Sequence, residues 1–376
     1  MTARTIVLSA NSDWNIANFR QGLVRALRSA GYEPVVIAPQ DRAADARMRE
    51  LGVERIPIAI DRAGLNPLKD GRLLARYRSL LKRLRPAAYL SYTIKPNIYG
   101  SLAAASLGVP ALPNVSGLGT AFIRGGPLQA LVTQLYRVGF ARAPVVFFQN
   151  DEDRSLFVGR RIVQPGRARV IPGSGVDLDH FSPAPLPEGP PVFLFIGRLL
   201  RDKGVVEFVE AARSVRREHP DARFQLLGGL DEGNRTAIRQ SELDSWVAEG
   251  VVEHLGTTDD VRPYITDATA IVLPSYREGL PRSLLEAAAM ARPVIASDVP
   301  GCRDVVDDGV NGFLCTVRDS GDLAGAMRRL LQLPRAQQLA MGEAGRRQVQ
   351  ERFSEAFVVR AYLDVLAGLE AAKPGS

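Results

Sequence analysis

Residues 171 to 191 read IPGSGVDLDHFSPAPLPEGPP, a stretch so dense in proline and glycine that no helix or strand can run through it. On both sides the same grammar repeats. Before it come the short apolar runs RTIVLSA (4–10), EPVVIAP (33–39), AAYLSYT (87–93), PVVFFQN (144–150) and ARVIPG (168–173), with helical periodicity such as NFRQGLVRALRSAG (18–31) between them. After it come PVFLFIGRL (191–199), RFQLLGG (223–229), VVEHLG (251–256), TAIVLPS (269–275), RPVIAS (292–297) and GFLCTV (312–317). Apolar runs without polar alternation, each followed by a helix, belong to parallel sheets buried on both faces. A chain of 376 residues also exceeds what one core usually organises. The expected fold class is therefore α/β, with two tandem Rossmann-like, doubly wound parallel-sheet domains facing a cleft. Residues 1–182 form the first domain and 183–350 the second; 351–376 make a C-terminal helix that packs back on the first domain, and a tail ending in AAKPGS.

No run reaches the roughly 18 apolar residues of a membrane-spanning helix, and TIVLSA followed by NSDWN reads as a first strand rather than a signal peptide. Cys302 and Cys315 lack metal-ligand spacing, and free thiols imply a reducing, cytoplasmic setting. Charge divides unevenly. Residues 1–180 hold 25 Lys and Arg against 13 Asp and Glu, whereas the remainder holds 23 against 28. The basic first half suits an anionic partner: nucleic acid, membrane surface or phosphorylated ligand.

Chemistry concentrates in the second half. In FIGRLLRDKGV a strand runs into a loop carrying Arg198, Arg201 and Lys203, with Gly197 and Gly204 permitting tight turns. Cations at the carboxyl end of a strand suit a diphosphate. The pair Gly228-Gly229 ends another strand and allows close backbone approach. In PSYREGLPRSLLEAAAMARPVIASD, Glu278 precedes a Gly279-Leu280-Pro281 turn and Glu286 lies about one turn into the following helix. Such a helix start presents unpaired amides to a phosphate, and Glu286 can reach a ribose diol.

In order and spacing, Gly197-Arg198, Lys203-Gly204, Gly228-Gly229 and the Glu-x7-Glu pair resemble the retaining nucleotide-sugar glycosyltransferases of the GT-B fold, family 4. GVD…FSP in the linker and DDGVNGFL (307–314) extend the likeness along the chain. The resemblance implies that Arg198 and Lys203 hold the donor diphosphate and stabilise the leaving nucleotide. It further implies that Glu286 binds the ribose, Glu278 contacts the transferred sugar, and the amides of Gly279 and Leu280 assist. His254, at a strand end, lies where the nucleotide base passes. The two glutamates then position and polarise rather than act as a glycosidase acid and nucleophile. Neither half shows an Asp-x-Asp arrangement suited to holding a catalytic divalent ion beside a diphosphate, so no cofactor or metal is expected, the donor substrate being a UDP-sugar. Many family members use an N-terminal histidine, yet this chain has none before His180.

The first half then selects the acceptor. Asn15 and Arg20 follow the first strand, Lys95 and Asn97 lie in TIKPNIYG, and Gly117 and Gly119 lie in NVSGLGTAF. With RAGLNP (62–67), these segments are similar to a bacterial subgroup that extends undecaprenyl-diphosphate-linked sugars, N-acetylgalactosaminyl transfer among its activities. The implied enzyme moves an N-acetylhexosamine from a UDP-sugar to a polyprenyl-diphosphate-linked saccharide at the inner face of the cytoplasmic membrane. GRLLARYRSLLKRLRP (71–86) puts Leu73, Leu74, Tyr77, Leu80, Leu81 and Leu84 on one face, with Arg72, Arg76, Lys82 and Arg83 around the rest. That face either meets an anionic membrane or packs on its own sheet. The loop GTAFIRGGPL (119–128) is a second candidate for lipid contact. Competing readings are a soluble acceptor, a nucleotide-sugar epimerase, and a non-catalytic binder of small molecules or nucleic acid. A periplasmic binding protein needs a secretion signal, and a nucleic-acid binder a recognition helix or aromatic platform.

Overall fold

The computed structural model describes residues 4–61, 66–117, 126–231 and 233–372. The chain forms two compact units, Met1–Ser174 with Glu355–Ser376, and Gly175–Ser354. In the first, strands β1 (Arg4–Ser9), β2 (Tyr32–Ala38), β3 (Glu54–Pro57), β4 (Ala88–Tyr92), β5 (Ala111–Val115), β6 (Val146–Phe148) and β7 (Ala168–Val170) form a sheet of order β3-β2-β1-β4-β5-β6-β7. In the second, β8 (Val192–Ile196), β9 (Arg223–Leu227), β10 (Glu253–His254), β11 (Ala270–Leu273), β12 (Val294–Ser297) and β13 (Gly312–Cys315) have the order β10-β9-β8-β11-β12-β13. Neighbours pair in parallel throughout both sheets. The doubly wound α/β class read from the apolar runs is the observed one.

Alternate residues of one strand supply two cores in the first unit. Val7 and Tyr89 face the layer of helices Pro67–Leu84 and Gly126–Phe140. Ile6, Leu8, Leu90 and Tyr92 face the opposite layer. The helix Glu355–Ala371 closes that second layer with Val358, Tyr362, Val365 and Leu366. Tyr362 is fully buried, its ring centroid 4.6 Å from that of Phe147.

The helical run expected over 18–31 begins earlier and breaks. It forms two helices, Asp13–Phe19 and Gln21–Ser29, hinged at Arg20 with φ −137° and ψ 16°. Side chains divert the backbone acceptors at the break: the Arg20 guanidinium donates to the Phe19 carbonyl at 2.8 Å, and the Gln21 amide to that of Ala17 at 2.6 Å. Arg20 then turns inward, 4.3 Å above the Tyr92 ring.

The proline-rich stretch is irregular, but from Gly175 onward it belongs to the second unit, with Val176 and Phe181 in that unit's core. An extended, proline-rich strap has carbonyls and few N–H groups, so its acceptors need outside donors. Arginines provide them. Arg346 donates to Leu178 and Phe181, Arg292 to Ala184 and Pro185, and Arg335 to Leu186 and Pro187. Arg292 is wholly buried and also donates to the carbonyls of Ile265, Thr266 and Met290. Burial pulls its guanidinium down to about 10.

On the helix Pro67–Leu84, Leu73, Tyr77, Leu80 and Leu81 are buried in the domain's own core, so the apolar face is used internally. Arg72, Arg76, Lys82 and Arg83 remain exposed. Most of the 119–128 loop, Gly119 included, lies outside the described residues.

Candidate active site

In the second sheet the winding direction reverses between β8 and β11, and open α/β sheets bind ligands outside the strand ends at such a switch point. The loops leaving these two strands carry the residues singled out by the motifs. After β8 come Gly197, Arg198 and a single 3-10 turn, Arg201–Lys203, closed by Gly204 in the left-handed region at φ 74°. After β11 come Tyr276, Glu278, Gly279 and Leu280, then the helix Arg282–Ala289, whose N-terminus has no side-chain cap.

The structure joins the two loops. Lys203 Nζ lies 2.5 Å from Glu278 Oε1, both side chains being largely buried. The Tyr276 N–H donates to the Asp202 carbonyl at 2.9 Å. Gly204 approaches so closely that a Cβ there would stand 2.0 Å from the Pro274 carbonyl oxygen. From the far side Gly301 abuts the same loop: its Cβ would meet the carbonyl oxygens of Gly279 at 2.4 Å and Glu278 at 2.9 Å.

Glu286 is 9% exposed and accepts from Arg282 Nε at 2.5 Å, one turn back in its helix. Burial lifts its carboxyl above the ordinary 4.5; the Arg282 charge and hydrogen bond pull it back, and Asp260 adds a small upward push. Arg198 is more open and pairs with Asp231 at 2.6 Å. The close approach at Gly228 is to protein rather than to open space, because a Cβ there would lie 1.9 Å from the Gly197 carbonyl oxygen. His254 Nε2 is 2.9 Å from the Gly228 carbonyl; a carbonyl only accepts, so this nitrogen carries the proton. Among the described residues no group of three or more His, Cys, Asp or Glu is placed to hold a metal ion. Both cysteines are free and buried.

On the first unit, the corresponding loops follow β1, β4 and β5. Arg20 is 3% exposed, and among the described residues its Nε has no partner. Asn15 Oδ1 is likewise buried and, among the described residues, unpartnered. Lys95 pairs with buried Asp70 at 2.7 Å, and Tyr99 donates to the same carboxylate. Asn97 is 1% exposed; its oxygen accepts from Ser91 and its nitrogen donates to the Asn114 carbonyl. Lys95 and Asn97 therefore have their polar ends committed inside the unit. Gly117 follows β5 with φ 138°.

Sequence reasoning missed the residues that hold this arrangement: Asp231, Arg282, Asp202 and Gly301. Only Arg282 carried a signal, being four residues before Glu286 on one helix face.

Residues 16–173 match the model of the glycosyl transferase 4-like domain, and residues 190–333 that of glycosyl transferases group 1. The chain is 30% identical over 339 residues to the N,N'-diacetylbacillosaminyl-diphospho-undecaprenol alpha-1,3-N-acetylgalactosaminyltransferase of Campylobacter jejuni, covering 85% of this chain and 87% of that one. The chain belongs to the family 4 glycosyltransferases. A second relative of the glycosyltransferase is the UDP-Gal:alpha-D-GlcNAc-diphosphoundecaprenol alpha-1,3-galactosyltransferase of Escherichia coli, 26% identical over 70% of this chain and 71% of that one. Solved structures agree on the GT-B fold. Sucrose-phosphate synthase from Thermosynechococcus elongatus superposes with a TM-score of 0.78 at 21% identity, covering 98% of this chain and 100% of that one. Anabaena HepE in complex with UDP and glucose gives 0.79 at 16% identity, over 96% and 99%. This glycosyltransferase is an enzyme of the hexosyltransferase class, and among its described residues no helix is long and apolar enough to cross a membrane.

Proposed function

We propose that the enzyme transfers an N-acetylhexosamine, GalNAc first among candidates, from its UDP-sugar to a saccharide carried on polyprenyl diphosphate, with retention at the anomeric carbon. The observation that carries the substrate is the Campylobacter relative, similar over most of both chains and named for that donor sugar and lipid carrier. The Escherichia coli relative is named for the same carrier with a different sugar. At the switch point, Arg198 and Lys203 supply the positive charge a diphosphate needs, and Glu286 the acceptor oxygens for a ribose diol.

Lys203 and Glu278 are bound to each other here. Donor binding exchanges these partners: the diphosphate takes Lys203, and the released Glu278 carboxylate turns to a sugar hydroxyl. The acceptor hydroxyl then attacks the anomeric carbon from the face the diphosphate leaves. A new C–O bond forms as the sugar–phosphate bond breaks, the electron pair and the acceptor proton passing to the departing phosphate oxygen. Lys203 and Arg198 stabilise the charge that develops there. The amides of Gly279 and Leu280, before the uncapped helix, assist at sugar or phosphate. Gly197 and Gly228 shape the floor by mutual packing, and His254, tied to Gly228, flanks the base.

Acceptor recognition falls to the first unit. Asn15, Arg20 and Gly117 are the acceptor contacts in this reading, together with Gly119, which lies outside the described residues; Lys95 and Asn97 brace the end of β4. The exposed cations of the helix Pro67–Leu84 hold the enzyme at the anionic inner face of the cytoplasmic membrane by charge rather than by insertion. The test is UDP release from a panel of nucleotide sugars with undecaprenyl-diphosphate-linked saccharides. Release that ignores the lipid-linked acceptor, or strict preference for a soluble one, overturns the reading.

A further inference from the structure

Tyr276 lies two residues before Glu278 on the loop after β11, and it is fastened more heavily than a surface loop requires. Its phenol donates to Glu207 Oε1 at 2.6 Å. Glu207 lies in the first turn of the helix Val205–Arg216, where the positive helix end favours a carboxylate; that helix starts directly after Lys203 and Gly204. The Tyr276 backbone N–H is held by Asp202, the residue before Lys203. On the other side of the ring, the Arg318 guanidinium carbon sits 4.4 Å from its centroid. Arg318 reaches that place from a left-handed backbone, φ 62°, which residues other than glycine rarely adopt.

The segment around Lys203 and the segment around Glu278 are thus clasped by a main-chain bond, a side-chain bond and a close glycine contact, and the Lys203–Glu278 ion pair stands within this clasp. A phenylalanine would fill the same space without the bond to Glu207. Burial, reinforced by Glu207, pushes the Tyr276 phenol well above its usual range, so it remains a donor at every physiological pH. Among the described residues Glu207 Oε2 is buried with no partner, and Tyr276 is the hydrogen-bond donor to that carboxylate.

We propose that Tyr276, anchored by Glu207, is a positioning residue that keeps the Glu278 carboxylate in register with Lys203 when the donor separates the two. This rests on the reading that Glu278 contacts the transferred sugar. Once the ion pair exchanges for donor contacts, the Tyr276–Glu207 bond acts with the Tyr276–Asp202 main-chain bond and the Gly204 contact to keep the Glu278 loop from drifting. A displacement of about 1 Å at a catalytic group costs on the order of 100-fold in rate.

The experiment compares Tyr276→Phe, Glu207→Ala, Glu207→Gln, the double variant Tyr276→Phe/Glu207→Ala, and Glu278→Gln. It measures kcat for transfer, calorimetric UDP affinity and thermal midpoint. Tyr276→Phe and Glu207→Ala are each expected to lower kcat roughly 10- to 100-fold with UDP affinity close to wild type, and the midpoint of Tyr276→Phe should fall, because the Glu207 carboxylate loses its donor. The double variant should fall no further than either single one, and Glu207→Gln, which keeps an acceptor oxygen, should recover most of the rate. Additive losses in the double variant, unchanged kcat in Tyr276→Phe, or UDP affinity falling in step with kcat would overturn the positioning role. A Glu278→Gln variant with full kcat sinks instead the underlying reading of Glu278, so the two failures are told apart.

Discussion

Arg282→Leu isolates the electrostatics of the buried Glu286. The substitution keeps most of the aliphatic volume and removes the cation 2.5 Å from the carboxylate. Burial already holds the Glu286 carboxyl above 4.5, and Arg282 is the strongest opposing influence. Losing that charge and its hydrogen bond raises the carboxyl further. The side chains are 23% and 12% exposed, so the stability lost sits at or below the low end of the about 3–5 kcal/mol that breaking a buried ion pair costs. The folded value exceeds the unfolded one, so between the two the native state binds more protons, and stability declines as pH rises through that window. Arg282→Leu widens the window upward. For the ligand the sign is opposite: an ionised carboxylate accepts from both ribose hydroxyls, so UDP affinity falls as pH drops through the folded value. Calorimetric titration of UDP from about pH 5 to about pH 8 should show an acid limb that moves to higher pH in the variant. Glu286→Gln should abolish the limb. An unmoved or lowered limb in Arg282→Leu, or a persistent one in Glu286→Gln, would show that ionisation of Glu286 does not govern UDP binding.

Arg198→Ala and Lys203→Ala should each lose roughly 10- to 1,000-fold in turnover while folding normally by circular dichroism; near-normal kinetics in both would remove the diphosphate clamp. Changing Arg72, Arg76, Lys82 and Arg83 together to Gln should weaken binding to anionic liposomes and slow transfer to a long-chain lipid acceptor, yet spare a short water-soluble analogue; equal rates on both acceptors would make the helix ordinary surface. Arg292→Met should cost about 1–3 kcal/mol in denaturant unfolding, because it leaves the buried carbonyls of Ile265 and Met290 without this donor and frees the strap carbonyls of Ala184 and Pro185. A loss under about 1 kcal/mol would mean the strap is held by its apolar side chains instead.

The long apolar strands were legible because a parallel strand buried on both faces has no polar alternation to obscure it. Two strands escaped for physical reasons. Glu54–Pro57 is an edge strand with only Ile56 buried, and Ala111–Val115 carries Pro113 and the buried Asn114 in mid-strand, both signals against a central position. The break at Arg20 was invisible because it depends on a ring, Tyr92, contributed by a distant strand. In the site, Glu278 and Glu286 stood out because a turn and a helix fix their spacing. Asp231 and Glu207 did not, since pairs such as Arg198–Asp231 and Tyr276–Glu207 form only when separate strands bring their loops together. The arginine-held strap shows the same limit from the opposite direction. Its prolines announce an irregular segment, but the donors that fasten it, Arg292, Arg335 and Arg346, are supplied from far along the chain.

The most direct measurement is anomer-resolved NMR of the product formed from UDP-GalNAc and an undecaprenyl-diphosphate-linked saccharide, run beside Glu278→Ala. The expected product is an α-linked N-acetylgalactosaminyl saccharide from the α-linked donor, with one UDP released per linkage. Glu278→Ala should form little product while binding UDP nearly as well as wild type. An inverted β-linkage, donor consumption without a new glycosidic bond, or full transfer by Glu278→Ala would rule out retaining transfer assisted by Glu278.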